Sequence, residues 1–501
     1  MADQDADAVA SGTSNGEKND IVIPLQIGGE EVVTETSFEL ESPSTHKPIW
    51  RASTASKADA VRAAEAAQAA FPAWSQMNFC QRRDVFLRAA DILERRADEL
   101  ADYMKTETGA EDFFSKFNTN LSVQLLKDAG SRISSIQGSM PMCMEDGSSA
   151  LVYKEPYGVV LGIAPWNAPY ILGFRSVIYA LAAGNSTILK GSELAPRCFW
   201  AIGSVFAEAG LPKGALNVLI HTRENAAEIT TALIEHPAIQ KINFTGSTAV
   251  GRIVAETAGR NLKPVLLELG GKASAIVLPD ADLDKAAEAC ALGAFIHGGQ
   301  VCMSTERIIV HASIQEQFRT ALLAAVERTS PPNNGPHTLI NPSAVQKNHS
   351  LISHALSHGA DLIHPPSQTH PTPHASPTRM HPTVVQNVTA TMNIYHTESF
   401  GPSVSLLTAS SEAHAVALAN DTDYGLTAAV YTRDLGTGLR VARRIDAGAV
   451  HVNCGTGTIH DEPCLPHGGV KGSGFGRFNG MVGLDEFLRS KTVTFRGWET
   501  E

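Results

Sequence analysis

The chain lacks several things, and each absence narrows what it does. No C-x-x-C pair occurs, and the seven cysteines (Cys80, Cys143, Cys198, Cys290, Cys302, Cys454 and Cys464) form an odd, scattered set. Such spacing predicts free thiols in a reducing compartment, with no disulfide frame and no structural zinc or other metal. No run of about 20 apolar residues is present, so no membrane span is expected. Basic residues are in deficit, 40 Lys and Arg against 52 Asp and Glu, which argues against a nucleic-acid partner. The first twenty residues, acidic and polar, resemble neither a secretory nor a mitochondrial leader and read as a disordered lead-in. The final "GWETE" matches no lipidation or peroxisomal signal, and a cytoplasmic protein is the expectation.

What is present suits a large globular protein. The 501 residues suffice for two or three lobes with sizeable cores, and 43% are hydrophobic. An alanine-rich helix is predicted from Asp59 to Ala70 with Pro72 as its stop, then one long amphipathic helix from Gln81 to Thr106. Short apolar strands then alternate with helices: "GVVLGIA", "STILKGS", "ALNVLI", "KINFTGS" and "PVLLELGG". A second alternation runs through "SAIVLPD", "RIIVHA", "VSLLTAS", "AAVYTRD" and "AGAVHVN". Two α/β lobes with parallel, Rossmann-type sheets are predicted. Residues 134–158 show little helical period and read as an extended arm or hairpin. The stretch His364–Pro382, rich in Pro and His, reads as a long surface loop rather than a metal site.

Several residues have chemistry out of keeping with a plain fold. Cys302 follows a Gly-Gly-Gln-Val turn; alone it is as compatible with a buried thiol as with a nucleophile. Glu268 ends an apolar strand before two glycines, where burial would raise its pKa toward the range of a general base. In "APWNAPY", Asn167 beside Trp166 lies in a proline-stiffened loop at a strand end, where an amide can donate to an oxyanion. Lys190 and Glu193 stand beyond another strand, a donor and an acceptor suited to ribose hydroxyls, or a surface ion pair. In "FTGSTAVG", Gly246 is expected to permit a tight turn and Ser247 to open a helix, as a phosphate cradle or a simple N-cap. Gly298 and Gly299 read as clearance for ligand beside Cys302. Glu398 and Phe400 in "ESFGP", and the loop "PHGGVKGSGFGRF", are compatible with lining a ligand.

Seven of these motifs occur in one order: "APWNAP", "LKGSE", "FTGSTAVG", "LELGGK", "GQVC", "ESFGP" and "GGVKGSGFGR". In that order the chain resembles the aldehyde dehydrogenase superfamily from about residue 22 to 498. The resemblance implies an NAD(P)-dependent enzyme that oxidises an aldehyde to its acid. Cys302 would be the nucleophile, Asn167 the oxyanion donor and Glu268 the base that activates water against the thioester. Lys190, Glu193, Gly246, Ser247, Trp166, Glu398 and Phe400 would hold the cofactor, with Glu193 favouring NAD over NADP. It further implies an NAD-binding domain (22–133 and 153–267), a catalytic domain (268–477) and an oligomerisation arm (134–152 and 478–501) of a homodimer or homotetramer. "APWNAPYILGFR" and "GQVCMSTER" are similar to the branch that oxidises benzaldehyde-type substrates. There Ala168 would leave room for a ring, and Arg175, on the following helix, would either face a ring substituent or lie on the helix surface. His467 departs from the family, standing where an aromatic residue usually forms the substrate wall. Aliphatic or semialdehyde substrates, a CoA-acylating relative and a weakly catalytic homologue are the alternatives. The carboxylate at Glu268 disfavours the CoA-acylating relative, and the full set of site residues disfavours the weakly catalytic one.

Overall fold

Strand Val159–Ile163 is buried at every residue, and so are its neighbours Ser186–Lys190 and Leu216–Leu219. Unbroken apolar runs of this kind belong to a parallel sheet covered on both faces. The computed structural model describes residues 21–329, 335–365, 376–456 and 462–496. In it these strands run parallel with Ile239–Thr245 and Val265–Glu268. Across the sheet, Val265–Glu268 is followed by Ile239–Thr245, Val159–Ile163, Ser186–Lys190 and Leu216–Leu219. The chain order reverses between Val159–Ile163 and Ile239–Thr245. The crevice beyond their carboxyl ends is where such sheets bind ligands.

The second lobe is a seven-stranded sheet. Six strands are parallel, with Ala273–Val277 and Thr305–His311 at its centre and Asp361–His364 as an antiparallel edge. Two parallel α/β lobes are thus present, as the alternation implied. A third piece pairs Ser148–Pro156 with Leu488–Arg496 antiparallel.

Several local expectations are corrected. Pro72 does not stop its helix, which runs Lys57–Ser75. Beyond it Trp74 is fully buried, and its indole N–H donates to the Leu181 carbonyl at 3.1 Å. That anchor offsets the roughly 3 kcal/mol a helical proline costs. The long helix is two, Phe79–Arg95 and Ala97–Thr108, parted at the non-helical Arg96. Helices Asp112–Arg132 and Pro342–Ser357 were not anticipated. The paired strand of the arm continues to Pro156, beyond residue 152. Residues 478–487, grouped with the arm, instead bury Phe478, Leu484 and Phe487 in the first lobe's core. Most of the His-rich stretch, 366–375, lies outside the described residues.

Candidate active site

Cys302 sits on a loop between a 3-10 turn, Ile296–Gly299, and strand Thr305–His311. Gln300 fixes that loop. Its side-chain amide donates to the carbonyls of His297 (3.0 Å) and Thr338 (3.2 Å) and accepts from Ile340 N–H (2.9 Å). Its own carbonyl accepts the Asn167 side-chain amide at 3.0 Å, which brings Asn167 to the cysteine loop and leaves one amide proton for another acceptor. Gly299 is left-handed (φ 71°), but the clearance it provides faces the Gly401 carbonyl. A Cβ there would meet that oxygen at 2.1 Å, and neither Gly298 nor Gly299 lines a cavity.

Glu268 ends its strand fully buried, because the glycine-rich segment folds back over it. Gly474–Phe475 pairs with Leu267 and Glu268. Gly474 has φ 101°, and a Cβ would lie 2.1 Å from the Leu267 carbonyl, so only glycine fits. The Cys302 Sγ lies 3.2 Å from Glu268 Oε1. On the far oxygen, Oε2, is Arg175 Nη2 at 3.4 Å; His467 Nε2 is 3.6 Å from Oε1. Arg175 is not on a helix surface: helix Pro169–Ala182 is buried all round, and the guanidinium lies 5.4 Å over the Phe478 ring. Burial by itself would raise the Glu268 pKa. The His467 contact and the Arg175 charge outweigh it and hold the carboxyl at about 2. The expected upward shift is therefore reversed. His467, expected on the substrate side, lies behind Glu268 and lines neither cavity.

Two cavities meet at Asn167, Leu172 and Cys302. The larger, about 350 Å³, opens beyond the first sheet's carboxyl ends and is lined by Trp166, Gly246, Ser247, Glu268, Glu398 and Phe400, among others. Gly246 does not have a left-handed φ. What excludes a side chain there is the Phe244 ring, 2.6 Å from a built Cβ. Ser247 caps helix Thr248–Arg260 by accepting from Val250 N–H at 3.4 Å, leaving the helix N-terminus beside the cavity. Lys190 is buried at its strand end, where loss of water pushes it down to about 8 against the pull of Glu193. Glu398 accepts Gly271 N–H at 2.8 Å and is pushed up to about 7 by desolvation and the Glu306 charge. A carboxylate and an open helix N-terminus in the wall of one cavity are an acceptor and donor set that fits a dinucleotide; Lys190 and Glu193 stand at a neighbouring strand end and do not line this cavity.

The smaller cavity, about 130 Å³, is a tunnel walled by Phe113, Phe114, Phe117, Ile171, Ile296 and Met303, with Arg175 also in its lining. The three phenylalanines come from helix Asp112–Arg132, and the sequence reading did not single them out. Their signal was "DFFSKF", a cluster with Phe113 left 67% exposed. Glu306 was also missed. Its carboxylate, buried against Lys272 Nζ, accepts the backbone N–H groups of Ser399 (2.8 and 3.0 Å) and Phe400 (3.1 Å). It thereby holds Phe400 at a left-handed φ of 48°, a strained state for that residue.

Comparison with known proteins agrees with this geometry. Residues 31–493 match the aldehyde dehydrogenase family. The vanillin dehydrogenase of Pseudomonas fluorescens is 40% identical over 95% of this chain and 98% of its own length. The salicylaldehyde dehydrogenase of Pseudomonas putida is 35% identical over 93% and 96%. A crystal structure of a salicylaldehyde dehydrogenase from Pseudomonas putida G7, complexed with salicylaldehyde, superposes with a TM-score of 0.91 at 34% identity, covering 96% of this chain and 99% of that one. The chain belongs to the aldehyde dehydrogenase family, NAD(P)-dependent oxidoreductases that act on aldehydes.

Proposed function

We propose that this enzyme oxidises an aromatic aldehyde to the carboxylic acid, with Cys302, Asn167 and Glu268 as its catalytic residues. The carrying observation is the tunnel: three phenylalanine rings lead from the surface to Cys302, where the cofactor-sized cavity begins. Relatives named for vanillin, salicylaldehyde and benzaldehyde support the aromatic class. A semialdehyde would need a cation for its carboxylate. Among the described residues, the one cation on the tunnel wall is Arg175, which already faces Glu268.

The Cys302 sulfur attacks the aldehyde carbon to give a thiohemiacetal. A proton of the Asn167 amide and the Cys302 backbone N–H stabilise the oxyanion. The nicotinamide, when bound, supplies the hydride acceptor. Lys190 and Glu193 would hold the adenine-side ribose, the helix start at Gly246 and Ser247 would meet the pyrophosphate, and Glu398 would hold the nicotinamide ribose, with Phe400 packed beside it. A carboxylate at Glu193 repels a 2′-phosphate, so NAD is the preferred form. Water directed by Glu268 then hydrolyses the thioester. Homo-oligomerisation runs through the arm, where Tyr153, Val493 and Phe495 are exposed beside an open strand edge.

The test is NADH formation with benzaldehyde, vanillin and salicylaldehyde against aliphatic aldehydes and succinic semialdehyde, compared as kcat/KM. Aromatic aldehydes are expected to lead, and Cys302→Ser to abolish turnover. Preference for a semialdehyde would overturn the substrate assignment, and a fully active Cys302→Ser would overturn the nucleophile.

A further inference from the structure

Glu268 must accept a proton from water, yet it is placed where a proton is unwelcome. Protonating it removes the negative charge that faces the buried Arg175 guanidinium at 3.4 Å. Depriving a buried cation of its counter-charge is the expensive half of breaking an ion pair. Glu268 alone is therefore a poor final holder of that proton.

The two carboxylate oxygens divide the problem. Oε2 faces Arg175. Oε1 faces Cys302 Sγ at 3.2 Å and also His467 Nε2 at 3.6 Å. An acyl group on the sulfur presents its carbon on the Oε1 side, so a proton taken from attacking water arrives on the oxygen next to the imidazole. His467 is anchored there: its backbone N–H and carbonyl both pair with Phe478, at 2.8 and 2.7 Å, and its side chain is fully buried.

We propose that the base for thioester hydrolysis is the Glu268–His467 pair, with Glu268 Oε1 taking the water proton and passing it to His467 Nε2. The water oxygen bonds to the acyl carbon as its O–H bond breaks. The tetrahedral intermediate collapses with the C–S electron pair returning to Cys302 as thiolate. The acid leaves and ionises in solution, and His467 holds the transferred proton until it returns through Glu268, which lines the cavity, to water in the emptied site. Arg175 repels the imidazolium, and the restored Glu268 carboxylate, lying between the two cations, attracts it. His467 acts through Glu268 and touches no substrate atom, which makes it a positioning residue with a proton-holding role.

The proposal rests on the assignment of Cys302 and Glu268 made above, and the test separates the two. The full-length enzyme with His467→Phe, the family's usual kind of residue, is mixed with NAD and an aromatic aldehyde and followed by stopped-flow absorbance and intact-protein mass. A burst of about one NADH per site is expected, with acyl-enzyme accumulating and steady turnover slowed on the order of 10²-fold. His467→Ala should show the same defect and recover with added imidazole but not with benzene. The proposal is overturned if His467→Phe turns over within about twofold of the parent. Slowing without acyl-enzyme, or a defect in His467→Ala that imidazole does not relieve, also overturns it. Glu268→Gln accumulates acyl-enzyme whichever way His467 behaves, and its failure to do so would remove the underlying assignment instead.

Discussion

Two carboxylates stand in the wall of one cavity, and the more deeply buried is the stronger acid. Glu268 is fully buried and held at about 2; Glu398 is only partly buried and lies near 7. Burial raises both. The difference is in what faces them: Arg175 and His467 at Glu268, the like-charged Glu306 at Glu398. Water exclusion pushes both carboxyls up, and the neighbouring charge decides whether that rise is reversed, as at Glu268, or reinforced, as at Glu398.

The widest test of this contrast removes the cation. Arg175→Met leaves Glu268 buried without its guanidinium and is expected to destabilise the fold by about 3–5 kcal/mol at pH 7, read by urea unfolding. The sign with pH follows from linkage. A carboxyl depressed from 4.5 to about 2 contributes stability above pH 4.5 that is lost as pH falls toward 2. The gap between parent and variant should therefore narrow over that window; a constant gap would mean that Arg175 acts by packing alone.

On the other side of the contrast, Glu306→Gln weakens the clamp on Ser399 and Phe400 and leaves the Lys272 charge poorly matched. Losing charge-assisted bonds worth about 1.5–3 kcal/mol should weaken NAD binding by tenfold to a hundredfold, measured by titration calorimetry. Unchanged affinity would show that the loop holds its shape without Glu306.

The smallest effect belongs to Glu398→Gln. In the parent, the carboxyl becomes charged as pH rises through about 7, so NAD affinity should rise over that interval. The variant should bind with a flat profile, and the two should differ by up to about tenfold, or 1.4 kcal/mol, at pH 8. An identical slope in both proteins would place Glu398 out of reach of the ribose.

The same contrast explains what was legible beforehand. Cys302, Asn167 and Glu398 lie in short motifs where glycine, proline and the reactive residue are adjacent, so a linear reading finds them. Arg175 and His467 reach Glu268 only through the fold, one from a helix before it and one from a loop far after it. The carboxylate's burial was therefore left open by the linear reading, and the upward shift expected of a buried carboxyl was reversed. Glu306 was hidden because a glutamate in strand Thr305–His311 carries no local signature. The tunnel was missed with its helix: Asp112–Arg132 buries residues on several sides, which blurs the apolar period. Its phenylalanines acquire meaning only beside Cys302.

The return of residues 467–478 over Glu268 also sets an order in time. A ribosome delivers Asn167, Glu268, Cys302 and Glu398 before it delivers the strand Gly474–Phe475 that roofs the first sheet's edge. Until that last segment emerges, Leu267 and Glu268 lack their antiparallel neighbour and His467 is missing. The pocket floor is thus closed by nearly the last part of the chain to be made, so a chain cut short before residue 467 contains the nucleophile and the oxyanion donor but not the finished wall behind Glu268.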